Sequence, residues 1–147
     1  MTAELFPSPE RYLYCDGASK GNPGPASIGA AIFDGDPKKG GTEIATISQA
    51  IGIETNNVAE YRSLIEGLQR ISEIMGNDYA ACKVYVRMDS QLVIRQIIGQ
   101  YKVKNANLKP LYEKARLLLS RAGSYQAEHI PRELNKRADQ LANEALK

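Results

Sequence analysis

The sequence has no apolar run approaching the roughly 18 to 20 residues that a membrane-spanning helix requires. Its first residues, MTAELFPSPE, lack the basic start and the apolar stretch of a secretory signal peptide. It also has no internal repeat and no low-complexity segment. These absences argue against a membrane protein and predict a soluble, cytoplasmic protein.

The sequence also has few cysteines and a small net charge. The two cysteines, Cys15 and Cys82, lie in apolar runs typical of strands, which predicts buried, reduced thiols rather than a disulfide or metal ligands. A net charge of +2 and a pI near 8.5 are only mildly basic, so overall charge does not by itself indicate a nucleic-acid partner. Such a function has to be argued from local sites.

The chain length sets the number of domains. A chain of 147 residues with 43% hydrophobic content can bury one core but is too short for two ordinary domains. Residues 1–10 contain two prolines and little apolar pattern, and we expect them to form a flexible tail. Residues 11–147 are predicted to form a single domain.

Three strand-like segments come first in the chain, namely RYLYCDG, SIGAAIFDG and EIATISQAIGIE. The connector DGDPKKGG is rich in Gly, Pro and Asp, a composition typical of hairpin turns, so these strands should be antiparallel. From Asn57 onward the apolar residues recur every three or four positions, which indicates an amphipathic helix.

The remaining chain alternates strands and helices. KVYVRMD is a predicted strand followed by a helix in SQLVIRQII, and SYQAEHIP is a predicted strand before a C-terminal helix. Between them, residues 106–122 form a helical pattern in which Pro110 either lies in the first turn or separates a short preceding piece. With those two middle helices counted as one crossover, the order βββαβαβα predicts an α/β fold: a five-stranded mixed sheet flanked by helices.

Four acidic residues lie at element boundaries. Asp16 ends the first predicted strand, Asp89 ends the fourth, and Glu60 and Asp139 lie in the first turns of the first and last helices. If the first and fourth strands are neighbours, the four carboxylates meet at one site. Clustered carboxylates repel one another unless a hard cation such as Mg²⁺ neutralises them.

Each acid also has a structural explanation when taken alone. Glu60 can complete a capping box with Asn57, and Asp139 can stabilise its helix dipole. Asp89 can cap the following helix, and Asp16 with Gly17 can form an ordinary turn. The neighbouring residues of each acid therefore decide the interpretation.

Four segments, DGASKGNPGPASIGAAIF, TNNVAEYRSLIEGL, DSQLVIRQI and NKRADQLANEAL, resemble the signature motifs of type 1 ribonuclease H, in the family's order. The resemblance extends from Tyr12 to the C-terminus. It implies a ribonuclease H-like fold and a Mg²⁺-dependent endonuclease that cuts the RNA strand of RNA/DNA hybrids, with Mn²⁺ as a substitute. Asp16, Glu60, Asp89 and Asp139 match the family's catalytic, metal-binding carboxylates.

The resemblance also implies a two-metal mechanism that leaves 5′-phosphate and 3′-hydroxyl ends. Asp16 is the expected ligand of both ions, Glu60 and Asp89 complete one site, and Asp139 completes the other. Glu60 is further expected to position the nucleophile or to hold the ribose 2′-hydroxyl.

Substrate contacts are implied at small polar residues that would read the shallow minor groove of an A-like duplex. Thr55 resembles the family's anchor for a phosphate of the DNA strand, although a plain strand-end hydroxyl is the alternative. The residues that resemble minor-groove contacts are Ser19, Asn22, Asn56, Asn57 and Gln91.

Two features depart from the longer bacterial sequences of the family. The segment GQYKVKNANLKP is too short for their extra basic helix, which predicts weaker, less salt-sensitive binding of the hybrid. The single histidine, His129, falls within the last predicted strand, so we expect a structural rather than a catalytic role. The following residues resemble a shorter subgroup in which Arg132 contacts a phosphate, and double-stranded RNA is left open as a second substrate.

Two other functions stay open: a ribonuclease H-fold module that binds nucleic acid without cutting it, and an integrase-like or resolvase-like nuclease. The four acids argue against the first. The TNN and NPG segments and the short chain argue against the second. We expect the protein to act as a monomer.

Overall fold

The computed structural model describes residues 8–147. Most of the predicted tail, residues 1–7, lies outside that range. The first strand begins at Glu10, which the sequence analysis had placed in the tail. The division into a tail and a single domain of residues 11–147 otherwise stays a prediction.

The sheet has five strands in the order β3-β2-β1-β4-β5. β1 and β2 are antiparallel, as are β2 and β3, whereas β4 runs parallel to both β1 and β5. This arrangement confirms the predicted mixed sheet. The strands are β1 Glu10–Ser19, β2 Gly24–Phe33, β3 Glu43–Glu54, β4 Lys83–Met88 and β5 Ser124–His129, and the α-helices are α1 Asn56–Met75, α2 Gln91–Ile97, α3 Lys109–Arg121 and α4 Lys136–Glu144.

The first strand is longer than predicted. β1 does not end at Asp16, because Asp16 pairs with Gly29 of β2 and the ladder continues to Ser19. The alternative of an ordinary turn at Asp16 and Gly17 is therefore wrong. Asp16 lies inside the strand, where its pairing with β2 fixes its position.

The N-cap residues of the helices also differ from the capping roles considered for the acidic residues. The Thr55 hydroxyl accepts a hydrogen bond from the Val58 N–H, so Thr55 is the N-cap of α1 and the Asn57–Glu60 capping box is wrong. Glu60 consequently lies just beyond the first turn. Ser90, not Asp89, caps α2, and Pro110 lies in the first turn of α3.

The two faces of the sheet are covered by different helices. Leu13 and Cys15 point into the main core, which α1, α2 and α3 close, whereas Tyr12 and Tyr14 point to the opposite face, where Ala138 of α4 packs against them. Cys15 and Cys82 are buried free thiols, as predicted. Within residues 8–147, the helices are too short or too polar to pass through a lipid bilayer.

Candidate active site

A polar cavity of about 310 Å³ opens where β1 and β4 run side by side toward their C-terminal ends. Its lining includes all four carboxylates of the sequence prediction. The lining residues are Asp16, Gly17, Ala18, Ser19, Asn56, Glu60, Asp89, Arg132, Asp139 and Asn143.

Parallel pairing of β1 with β4 brings two of the acids together. Tyr14 pairs with Arg87, so Asp16 lies two residues further along β1 and Asp89 directly follows the last residue of β4. Because the carboxyl ends of parallel strands share one edge of the sheet, both side chains reach the same cavity. The first and fourth strands are therefore neighbours, which is the condition under which the sequence analysis expected the acids to meet.

Gly17 allows α1 to deliver Glu60. A Cβ atom at Gly17 would lie 2.2 Å from the backbone carbonyl carbon of Ala59 and 2.3 Å from the backbone nitrogen of Glu60. Only glycine permits such a close approach of the helix backbone to the strand. The glycine after Asp16 therefore serves helix packing rather than a turn.

A second glycine allows α4 to deliver Asp139 on the other face of the sheet. A Cβ atom at Gly29 would lie 2.2 Å from the Ala138 carbonyl oxygen and 2.4 Å from the Ala142 nitrogen. Gly29 is the direct cross-strand partner of Asp16. Close packing at this point brings the first turn of α4, with Asp139, beside Asp16.

The electrostatics of the cavity reflect crowded, buried carboxylates. Burial, together with the charges of Asp89 and Asp139, raises the pKa of Asp16 to about 8. Burial also raises the pKa of Glu60 to about 7, although a hydrogen bond with the Ser90 side chain opposes that rise. The Asp139 carboxylate contributes to the raised pKa of Asp16, because two neighbouring carboxylates disfavour each other's ionisation.

These residues fit a hard divalent cation in their chemistry. Carboxylate oxygens are the ligands that Mg²⁺ prefers, and a cation would replace the proton that Asp16 otherwise retains. Among residues 8–147, however, no three His, Cys, Asp or Glu side chains form a ready metal-binding group. A cation held by carboxylates of the cavity would complete its coordination shell with water or with a bound phosphate.

Asn135 is a site residue that the sequence analysis missed. Its side chain is 1% exposed, and its amide nitrogen donates to the Asp89 carboxylate and to the Cys15 carbonyl oxygen, both at 3.0 Å. Its backbone carbonyl accepts the Asp139 N–H. Asn135 thus connects the chain segments that carry three of the four acids. Its position as the first residue of the NKRAD motif is the sequence feature that could have identified it.

The predicted minor-groove residues next to the cavity hold one another in place. Asn56 Oδ1 accepts the backbone N–H of Ser19 at 2.9 Å, and Asn22 Oδ1 accepts the backbone N–H of Asn56 at 3.0 Å. Because backbone N–H groups can only donate, the oxygen of each amide must face inward. The NH₂ groups of both side chains are left for an external acceptor.

The remaining predicted substrate-contact residues lie either in a second cavity or outside both cavities. A second cavity, of about 160 Å³, is lined by Asn22, Thr55 and Asn57, together with Asn105 and Asn107, which the sequence analysis did not identify. Gln91 is exposed at the first position of α2 and does not line either cavity.

Arg132 and His129 are both exposed. The Arg132 guanidinium lies 3.7 Å from the Asp139 carboxylate at the rim of the first cavity. His129 is the last residue of β5, within the strand as predicted, and is not part of the cavity lining.

The strand order and the carboxylates beside β1 and β4 together define the ribonuclease H-like class of α/β proteins. A protein-family model described as reverse transcriptase-like matches residues 14–145. The bifunctional protein Rv2228c of Mycobacterium tuberculosis is 44% identical over 134 residues, covering 91% of this chain and 35% of that protein. Ribonuclease HI of Caulobacter vibrioides is 34% identical over 156 residues, covering 95% of both proteins.

Solved structures agree with the sequence relatives. The crystal structure of LC11-RNase H1 in complex with an RNA/DNA hybrid is 43% identical, has a TM-score of 0.83, and covers 92% of this chain and 95% of that one. The chain therefore belongs to the type 1 ribonuclease H family. It spans about a third of the length of the mycobacterial relative, which is covered to 35%.

Proposed function

We propose that this chain hydrolyses the RNA strand of RNA/DNA hybrids with the help of two divalent cations. The observation that carries the proposal is the convergence of Asp16, Glu60, Asp89 and Asp139 in one polar cavity. Membership of the ribonuclease H family supports it, as does the hybrid bound to LC11-RNase H1. Relatives named ribonuclease HI add to that support.

The carboxylates would hold the cations, with Mg²⁺ as the expected ion and Mn²⁺ as its substitute. Asp16 is influenced by the charges of both Asp89 and Asp139 and would contact both ions. Glu60 and Asp89 would complete one site, and Asp139 the other. Bound divalent ions supply an activated water and neutralise charge on the leaving oxygen. The expected products carry 5′-phosphate and 3′-hydroxyl ends.

Glu60 and Arg132 have further roles in this proposal. The raised pKa of Glu60, about 7, leaves its carboxyl group able to hold a proton near neutral pH. Once a bound cation holds it in the ionised form, the carboxylate can orient the attacking water or accept a hydrogen bond from the ribose 2′-hydroxyl. Arg132 is exposed beside Asp139 and would bind a backbone phosphate as a cation.

Recognition of the duplex would depend on the outward NH₂ groups of Asn22 and Asn56. Their amide oxygens already accept backbone N–H groups, so the NH₂ donors are the groups left to face the substrate. The minor groove presents acceptors on its base edges and on the 2′-hydroxyl oxygen. Ser19, Asn57 and Gln91 would add contacts that do not depend on sequence.

Thr55 would anchor a phosphate of the DNA strand in the second cavity. Its oxygen already accepts the Val58 N–H, but its hydroxyl proton remains free to donate. Asn57 and Asn105 line the same cavity and supply amide groups without a charge. Neutral donors of this kind predict modest salt dependence of hybrid binding.

The test compares end-labelled RNA/DNA, RNA/RNA and DNA/DNA duplexes of one sequence in Mg²⁺ or Mn²⁺. We expect internal cuts in the RNA strand of the hybrid, with 5′-phosphate ends, and none in DNA/DNA. Asp16→Asn should bind the hybrid without cutting it. Equal cutting of DNA/DNA would favour an integrase-like nuclease, and binding without any cutting would favour a silent binding module. Cutting of RNA/RNA would extend the substrate range.

A monomeric state and a location in the cytoplasm stay predictions.

A further inference from the structure

We propose that Ser27 and Ser48 are positioning residues that hold Asp139 in place by fixing the last turn of α4 to the sheet. The inference rests on the proposed function, because it assigns these serines to the same carboxylate site. Neither serine lines the cavity, and both act through α4.

The two hydroxyl groups cap the C-terminal end of the helix. Ser27 Oγ donates to the Ala142 carbonyl oxygen at 2.5 Å, and Ser48 Oγ donates to the Leu141 carbonyl oxygen at 2.6 Å. The last four carbonyl groups of an α-helix have no partner within the helix. Here two of the four are satisfied by neighbouring strands rather than by the helix's own cap.

The surroundings of Ser27 show that its hydroxyl has this specific partner. Ser27 is 0% exposed and lies in β2 on the face that packs against α4. A buried hydroxyl is costly unless it is hydrogen-bonded, and the Ala142 carbonyl is the partner it has. Ser48 lies across from Gly29, the residue against which α4 packs.

The helix needs such anchors because it is short. α4 has nine residues, and isolated helices of that length are not stable in water. Asn135 holds its first turn, and the two serines hold its last. Asp139 lies between these anchors, so its distance from Asp16 is set at both ends. The partly exposed Arg137–Glu43 ion pair, with two hydrogen bonds of 2.9 and 3.0 Å, is a further contact between α4 and β3.

The test uses Ser48→Ala and the double change Ser27→Ala with Ser48→Ala. We expect the double variant to need about tenfold more Mn²⁺ for half-maximal protection of α4 amides from hydrogen exchange, measured without nucleic acid. In the hybrid assay, the Mg²⁺ concentration for half-maximal rate should rise by a similar factor. The hybrid KM should change less than about twofold.

Two variants serve as controls. Ser120→Ala removes a 2.6 Å hydroxyl-to-carbonyl bond from α3, on the opposite face of the sheet, and should change neither cation dependence nor α4 exchange. Ser48→Thr keeps the hydroxyl at an exposed position and should retain the wild-type values. Ser48→Ala alters an exposed residue, so it is expected to fold if the double variant does not.

The proposal is overturned if α4 exchange and cation dependence stay at wild-type values in both alanine variants. It is also overturned if α4 exchange accelerates while cation dependence stays unchanged, because the serines would then be purely structural. If the wild-type protein fails to cut hybrids, the proposed function fails. The exchange measurement with Mn²⁺ alone still tests the positioning role in that case.

Discussion

The Asn135 amide nitrogen lies 3.0 Å from the Asp89 carboxylate and joins the start of α4 to the end of β4. The same nitrogen also donates to the Cys15 carbonyl oxygen, beside Asp16. The Asn135 Oδ1 atom is buried and has no hydrogen-bond partner. A buried polar side chain that is only partly satisfied indicates that its place is determined by the site rather than by stability alone.

Replacing Asn135 with Ala should lower kcat/KM for hybrid cleavage by about 10- to 100-fold, because Asp89 loses the donor that orients it. It should also lower the free energy of unfolding by about 1–3 kcal/mol. Steady-state cleavage and urea unfolding measure the two effects. Asn77→Ala alters an exposed asparagine after α1 and is the matched control. Wild-type kinetics in Asn135→Ala would remove Asn135 from the site.

Metal-free stability should fall as pH rises through the range in which Asp16 and Glu60 ionise. Their folded pKa values, about 8 and about 7, lie above the ordinary values of 3.8 and 4.5. The folded state therefore binds more protons than the unfolded state. The associated stability is fully present below about pH 4 and is lost as pH rises through 7 to 8.

Thermal unfolding in EDTA and in Mg²⁺ between pH 5 and 9 measures this linkage. Mg²⁺ should raise the Tm more at pH 9 than at pH 5, because the cation replaces the lost protons. Asp16→Asn should flatten the pH dependence in EDTA. A Tm difference between wild type and Asp16→Asn that does not change with pH would contradict the raised pKa of Asp16.

Gly17→Ala should disrupt the site through packing. The added Cβ atom would overlap the backbone of α1 at Ala59, so α1 has to move and carry Glu60 away from Asp16. We expect a loss of stability of about 1–3 kcal/mol and a fall in kcat of at least about 100-fold. Gly35→Ala, whose Cβ atom would make an ordinary 3.4 Å contact, should be nearly neutral. Equal activity of the two variants would show that close approach at Gly17 is unimportant.

Asp36→Asn should separate stability from activity. Arg87 forms a largely buried ion pair with Asp36 at 3.0 Å, on the sheet face away from the main core and outside the cavity lining. Removing one charge leaves the Arg87 guanidinium without its counterion, at a cost of about 3–5 kcal/mol. Urea unfolding should show this loss, whereas kcat per folded molecule should not change. A matching loss of kcat would mean that this pair supports the site.

The sequence predicted the strand and helix order because apolar periodicity is a local property. It predicted the four carboxylates because each lies in a recognisable motif. It misplaced the end of β1, because an Asp-Gly pair is typical of turns and the pairing of Asp16 with Gly29 is a long-range contact. The Asn135 bridge and the Ser27 and Ser48 caps were missed for the same reason, since they join residues 46 to 120 positions apart.

The most direct test is anomalous scattering from Mn²⁺ in two crystals. In one, the Asp139→Asn protein is bound to a hybrid. In the other, the wild type is bound to a non-cleavable hybrid. We predict Mn²⁺ peaks among Asp16, Glu60, Asp89 and Asp139 in the wild type, two in number and about 4 Å apart. The variant should lose the peak beside position 139. Mn²⁺ bound elsewhere, or a cavity that holds the hybrid without any cation, would contradict the proposed mechanism.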